Sequence, residues 1–312
     1  MANPVPSPVN DLGQTNAEVL AQTKIYSGEV LSAFIANTVM TKFVMKKTLT
    51  SGLSMEFPIV GVGKKEDVKT HVAGTDIDIN TSNADTVIIP LNALEYDSAF
   101  IDNKQKKVLH WDITSPVTKK LGQSLAQKLD YTLAGLLRSA CEMTGKAGQP
   151  DGSYTGDIII GDMTKTAEER GNALIGQIHM ANAIMDENNV PSSGRIFITT
   201  AMDWYDISQA TKTRSKDYTT KNGGEDSFSF DVIYIGNTMC IKSNNLTLTD
   251  NFRGFLFTAE AIGLVELISP ITESNYLPMK FGNLITARYC YGAGVLNAGL
   301  VVGIRNSVTP LP

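Results

Sequence analysis

Between Ser115 and Met143 an apolar side chain returns at every fourth position: Val117, Leu121, Leu125, Leu129, Leu133, Leu137 and Cys141. Ser115 suits an N-cap and Pro116 the first helical position, while Gly145 and Gly148-Gln149-Pro150 end the run. The spacing predicts one helix over 115–143, about 43 Å long. Each step of four overshoots a full turn by about 40°, so six steps carry the stripe roughly 240° around the axis. A helix covered on one side mixes threes and fours to hold its stripe still. A winding stripe demands different neighbours along its length, and so a large body around it. At 312 residues, 42% hydrophobic and 19% charged, the chain can supply that body as one large domain or two. The same composition excludes a disordered chain, a collagen or a coiled coil.

The stretch before this helix follows a different period. Met55, Phe57 and Ile59 alternate with smaller or polar residues until Gly61 and Gly63. A charged tip follows, with Lys64, Lys65, Glu66, Asp67 and Lys69, then Gly74. Val87-Ile88-Ile89-Pro90-Leu91 begins a second run that leads to Leu94 and Tyr96. We read 52–100 as two strands joined by a long polar tip. Pro90 cannot donate to a ladder, which places its strand at an edge or a bulge. Arms of about 14 residues would make the hairpin about 45 Å long, so it must lie across the body or project from it.

Upstream, Pro4, Pro6 and Pro8 mark an extended arm. Asn16 to Thr38 turns helical, with Leu20, Ile25, Val30 and Phe34 as candidate core and Gly28 as a break. Downstream, Thr166-Ala167-Glu168-Glu169 forms a capping box. The helix it opens passes Leu174, Ile178, Ala181 and Ile184 and stops at Asn189-Val190-Pro191. A strand at 195–199, a short helix at 201–208 capped by Thr200, a polar loop at 211–229 and further strands near 230–242, 254–258 and 262–268 complete an α/β unit. From Asn275 to Ile304 the pattern reads as strands punctuated by glycine.

Motifs for chemistry fail on inspection. Pro58-Ile59-Val60-Gly61-Val62-Gly63-Lys64-Lys65 resembles a phosphate loop, but proline replaces its first glycine and lysine the magnesium-binding hydroxyl. Gly292-Ala293-Gly294 lacks the third glycine and the helix of a dinucleotide site. Asp76-Ile77-Asp78-Ile79-Asn80 opens like a calcium loop, yet Thr81 replaces the turn glycine and Val87 the bidentate glutamate. Gly122-Gln123-Ser124-Leu125-Ala126 lacks the final glycine of a nucleophile elbow and lies within the long helix, where small residues suit close packing.

Charge and cysteine content narrow the classes further. A net charge of −5 gives no footprint for tight nucleic-acid wrapping or broad membrane attraction. Cys141, Cys240 and Cys290 form no close pair, which predicts reduced thiols. The first cation is Lys24, and the apolar run between Arg288 and Arg305 is broken by four glycines and Asn297, so neither an export signal nor a spanning helix is expected. Lys212, Arg214 and Lys216 in the polar loop suit a solvated surface, since Glu225 and Asp226 follow them.

The order of parts is mobile arm, long hairpin, long helix, α/β unit and returning strands. It resembles that of the major capsid proteins of tailed bacteriophages, the fold first described for the Hong Kong phage. Gly28-Glu29-Val30-Leu31-Ser32-Ala33-Phe34 and Ser51-Gly52-Leu53-Ser54-Met55-Glu56-Phe57-Pro58 resemble the arm and loop of the short-tailed podovirus (autographivirus) type. Leu121-Gly122-Gln123-Ser124-Leu125-Ala126 is similar to its spine helix, and Asn189-Val190-Pro191 with Arg195-Ile196-Phe197 to the start of its axial strands. Arg288-Tyr289-Cys290-Tyr291-Gly292-Ala293-Gly294 is similar to its last peripheral strands, although Leu296-Asn297-Ala298 stands where members often carry an Arg-Pro pair.

The resemblance implies an α+β fold in four parts. These are an N-terminal arm over 1–51, an extended β-hairpin loop over 52–100, a peripheral domain over 101–160 and 269–312 with its spine helix at 115–143, and an axial α/β domain over 161–268. It implies a structural subunit with no catalytic site, cofactor or metal. Such a subunit assembles with copies of itself into pentamers and hexamers of an icosahedral shell around double-stranded DNA, which it touches weakly and without sequence preference. Scaffolding and portal proteins are the implied partners, the virion the implied location, and the host cytoplasm the place of assembly. Function would reside in subunit interfaces, with Phe57, Ile59, Lys64, Lys65, Glu66, Asp67 and Lys69 of the hairpin and Lys212, Arg214 and Lys216 of the loop as candidate contacts. The rival readings are a bacterial nanocompartment shell of the same fold and a soluble α/β enzyme with its site near the ends of the 195–258 strands.

Overall fold

The computed structural model describes residues 29–60 (except 36), 68–71, 74, 76, 84–108, 114–146, 149–210, 232–246 and 251–306. The arm before Glu29 and the loop holding Lys212, Arg214 and Lys216 lie outside the described residues. The chain divides into two compact units. One contains residues up to 39, 91–129 and 266–291; the other contains 40–90, 130–265 and the residues from 292 onward.

In the first unit, strand β4 (Glu95–Asp102) pairs antiparallel with β11 (Gly282–Val295), from Tyr289 opposite Glu95 to Gly282 opposite Asp102. Helix α1 (Asn103–Val108) follows β4 directly. Residues 29–35 are helical and sit on the first half of α2 (Thr114–Cys141). Val30 and Phe34 are buried as their spacing predicts. Gly122 makes this packing possible: a β-carbon there would stand 2.5 Å from the Val30 carbonyl oxygen and 3.0 Å from the Ala33 β-carbon. Glu29 ties the same contact, because its carboxylate accepts from Ser115 Oγ at 2.8 Å and Thr118 Oγ1 at 2.6 Å. The helix starts at Thr114, so Ser115 lies in its first turn and binds Glu29, whereas the sequence reading made it the cap. The Tyr289 ring stacks on Tyr291 at 4.8 Å and meets Phe34 edge-on at 5.3 Å.

The second unit holds a six-stranded sheet in the order β5-β12-β9-β6-β8-β7, from β5 (Ser153–Asp157), β12 (Val301–Asn306), β9 (Phe252–Phe257), β6 (Ile196–Thr199), β8 (Thr238–Lys242) and β7 (Val232–Ile235). Helix α3 (Ala167–Glu187) buries Leu174, Ile175, Ile178, Ala181 and Met185 in one cluster with Phe197, Cys240, Leu256, Val302 and Ile304 of the sheet. Its capping box is complete: Thr166 accepts from Glu169 N, and the Glu169 carboxylate accepts from Thr166 N. Those bonds hold the Glu169 carboxyl below the usual glutamate range. Thr200 caps α4 (Ala201–Gln209), as its sequence context predicts. Asn189 ends α3 with φ 58°, a left-handed turn that asparagine tolerates.

Two boundaries differ from those read in the sequence. Residues 153–157 and 301–306, expected beside the long helix in a peripheral domain, form neighbouring strands of the six-stranded sheet. Alternation alone says that Val301 to Ile304 are strand; it does not say which sheet receives them. Likewise 95–102, read as part of the hairpin, pairs with β11 instead.

The long helix winds as its spacing requires. Leu121, Leu125, Leu129, Leu133, Leu137 and Cys141 are all buried, and the exposed side moves around the axis with them. Replacing Leu129 by Ala should cost about 2–5 kcal/mol in chemical denaturation, the range for a fully buried leucine. A loss below about 0.5 kcal/mol would assign Leu129 to the surface.

Candidate assembly surfaces

Strands β2 (Ser54–Val60) and β3 (Ala84–Pro90) form a separate two-stranded antiparallel sheet in the second unit. Ser54 faces Pro90, Phe57 faces Val87 and Val60 faces Ala84. Period-two alternation gives this ribbon two unlike faces. Met55, Phe57, Ile59, Val87 and Ile89 point inward, and all but half-buried Met55 are buried. Glu56, Pro58, Thr86, Ile88 and Pro90 point outward and are exposed. The consecutive isoleucines show the contrast most sharply: Ile88 is 56% exposed and Ile89 1%.

The inner face is seated on the chain's own glycines. A β-carbon at Gly263, in β10 (Ile262–Leu277), would stand 2.7 Å from Ile89 Cδ1. One at Gly294 in β11 would stand 3.1 Å from Ile89 Cγ1. The absence of side chains at these two points lets the ribbon settle against the strands. Lys47, on β1 (Met45–Thr48), places its ammonium 4.5 Å from the centre of the Phe57 ring. Beside it lies an open cleft of about 350 Å³ lined by Met45, Phe57, Ile59, Glu260, Leu296 and Leu300 among others.

This seating corrects one part of the sequence reading. Phe57 and Ile59, expected to be buried by a neighbouring molecule, are 3% and 7% exposed within their own chain. Of the tip residues, Lys69 is exposed, while Lys64, Lys65, Glu66 and Asp67 lie outside the described residues. Large exposed apolar side chains occur at places the sequence reading passed over: Leu53 and Ile88 on the hairpin, Tyr96 and Phe100 on β4, and Met279 and Phe281 at the turn from β10 to β11. For Ile88 the signal was present, since alternation through Val87-Ile88-Ile89 forces the middle residue onto the opposite face.

The buried polar groups are structural. Arg170 grips Asp206 through two hydrogen bonds of 2.7 and 2.9 Å. Arg195 donates to Asp186, Asn182 and the Val190 and Pro191 carbonyls, fixing the end of α3 to the start of β6. Burial pushes the Asp203 carboxyl above the usual aspartate range, but that group is held by the Thr200 hydroxyl in the cap of α4. Burial pushes the Cys141 thiol up to about 12, which leaves it un-ionised and unreactive. Among the described residues no group of three or more His, Cys, Asp or Glu is placed to hold a metal, and no helix is long and apolar enough to cross a membrane.

The fold matches that of solved phage capsid chains, the Hong Kong type. In the capsid of cyanophage P-SCSP1u a chain matches 99% of this one over 100% of its own length, with TM-score 0.70 and 22% identity. The sequence comparisons name the family. The model of the Gp10A-like major capsid proteins matches residues 57–249, and the chain belongs to that family. The major capsid protein of Enterobacteria phage T3 is 28% identical over 221 residues, 66% of this chain and 61% of the T3 protein. That of Escherichia phage T7 is 24% identical over 315 residues, 89% of this chain and 90% of its own length.

The two isoleucines give a direct check on the seating. Ile89→Ala should lower stability by about 2–5 kcal/mol in urea denaturation, and Ile88→Ala by less than about 0.5 kcal/mol. Equal losses would mean that the ribbon does not have one covered and one bare face.

Proposed function

We propose that this protein is a structural shell subunit of a phage virion, assembling with its own copies into pentamers and hexamers of an icosahedral capsid around double-stranded DNA. The observation that carries this reading is the bare outer face of a ribbon whose inner face is already full. A two-stranded sheet gains little by itself in water, so the uncovered Ile88 gains burial when another molecule lies over it. Membership of a major capsid family supports a capsid wall as the setting. The charged residues at the tip, Lys64, Lys65, Glu66, Asp67 and Lys69, would then pair across the contact, and Lys212, Arg214 and Lys216 would serve near the capsomer axis. Scaffolding and portal proteins complete the proposed set of partners.

Magnitudes suit reversible assembly. Covering about 300 Å² of apolar surface contributes about 7 kcal/mol before the costs of association. Those costs are about 4–15 kcal/mol, so a single contact holds weakly. A closed shell gives each subunit several such contacts, and the sum becomes strong while a misplaced subunit can still leave. No turnover is involved: the work of the molecule is done by interfaces.

Deleting residues 62–82 tests the hairpin's part. The variant should keep the far-ultraviolet circular dichroism and cooperative melting of a folded body, yet form no shells in electron micrographs. Normal shells from the deletion would remove the hairpin from the assembly mechanism.

A further inference from the structure

Strands β10 and β11 meet in a turn whose side chains the folded chain leaves bare. Met279 is 93% exposed there and Phe281 71%. Phe281 also holds φ 48° and ψ 47°, the left-handed region that a bulky side chain enters only at a cost. Its ring therefore gains neither burial nor a relaxed backbone from its own chain. Phe100, exposed on β4, lies beside it: a β-carbon at Gly282 would stand 2.4 Å from Phe100 Cζ. Helix α1 joins the same end, because Asn103 N donates to the Phe281 carbonyl at 3.0 Å and Asn103 Nδ2 to the Tyr276 hydroxyl at 3.3 Å. On α1 Lys104, Lys107 and Val108 are exposed, and spacings of three and four put them on one side of the helix. Lys280, exposed next to Phe281, adds a third ammonium group. The neighbouring carboxylate is that of Asp102, opposite Gly282 in the sheet, which accepts from Lys104 N at 2.6 Å. All of these residues belong to the first compact unit.

We propose that this end of the β10–β11 pair docks an acidic, apolar peptide segment of another protein, with Met279, Phe281 and Phe100 as anchors and the three lysines as a rim. The inference goes beyond the shell reading and does not depend on it. Contiguous bare apolar side chains rimmed by polar ones mark contact sites, and phenylalanine and methionine are enriched at the centres of protein contacts. The sign of the rim selects the partner. The same patch on a second copy would set ammonium groups against ammonium groups. Carboxylates spaced between apolar side chains neutralise the rim while the anchors are covered. Nucleic acid fits less well, since Met279 and Val108 offer no flat surface on which a base can stack. The lysines steer the encounter and fix its sign, and the anchors hold the bound segment.

The test uses the full-length protein and a fluorescein-labelled 18-residue helical peptide, with leucines three and four apart and glutamates between them, followed by anisotropy at 50 mM salt. Wild type should bind it, and should bind the same peptide with lysine for glutamate at least tenfold more weakly. The Lys104→Gln, Lys107→Gln, Lys280→Gln triple variant should lose at least tenfold, and arginine at the three positions should keep wild-type affinity. Phe281→Gly should lose at least tenfold while melting no lower than wild type, because glycine suits the left-handed backbone. Met279→Ser should also weaken binding, with unchanged melting. Failure of wild type to bind the glutamate peptide overturns the proposal, as does binding that the triple and Phe281→Gly variants leave unchanged. So does a 30-base oligothymidylate that binds as tightly and is lost in the same variants, which would make the face a nucleic-acid platform. So does a wild-type dimer in sedimentation that Phe281→Gly abolishes, which would make a second copy the occupant. Shell formation in micrographs is scored separately and bears on the assembly reading alone.

Discussion

Everything distinctive about this chain follows from how one ribbon is held. Ile89 presses on β10 and β11 at residues 263 and 294, where no side chain stands in its way. Strand geometry then leaves no choice about its neighbours in sequence: if Val87 and Ile89 face the body, Ile88 faces away from it. A ribbon anchored in this way is ordered before it meets a partner. In the proposed assembly, the conformational cost of forming the contact would therefore be met largely within the folded chain, with the outer face presented in a defined register. Pro58 and Pro90 limit pairing along the ribbon's edges, which favours contact through the face over uncontrolled strand addition.

Arg170 and Asp206 bind α3 to α4, and Arg195 fixes the end of α3 to β6 with five hydrogen bonds. Burying such groups stabilises little in total, since desolvation offsets much of the attraction, but breaking one partner leaves a stranded charge. The arrangement therefore fixes geometry more than it adds stability. On α2, Gly122 and Glu29 do the same for the helical segment at 29–35.

Local patterns were readable wherever a short-range rule decides the outcome. The capping box at Thr166, the cap at Thr200, the stop after Glu187 and the winding stripe of α2 all stand where sequence spacing puts them. What escaped was long-range. Nothing local says that Val301–Asn306 lies between β5 and β9, or that Glu95–Asp102 leaves the hairpin to join β11. The candidate contacts show the same division. Phe57 and Ile59 were recognised as one apolar row, but periodicity cannot tell whether such a row is covered by its own chain or another. The glycines that meet the same face of the ribbon at Ile89, at 263 and 294, are more than 170 residues away from it in sequence. Met279 and Phe281 carry no periodic signal, since they occupy a turn whose exposure emerges only in the fold.

Hydrogen exchange on the β2–β3 ribbon, measured in dissociated subunits and in purified shells, tests the central claim most directly. The account predicts that amides of Ser54–Val60 and Ala84–Pro90 exchange much more slowly in the shell, with the change concentrated there, because another subunit covers the outer face. Equal exchange in both states would mean that the ribbon is complete within one chain and takes no part in holding the shell together.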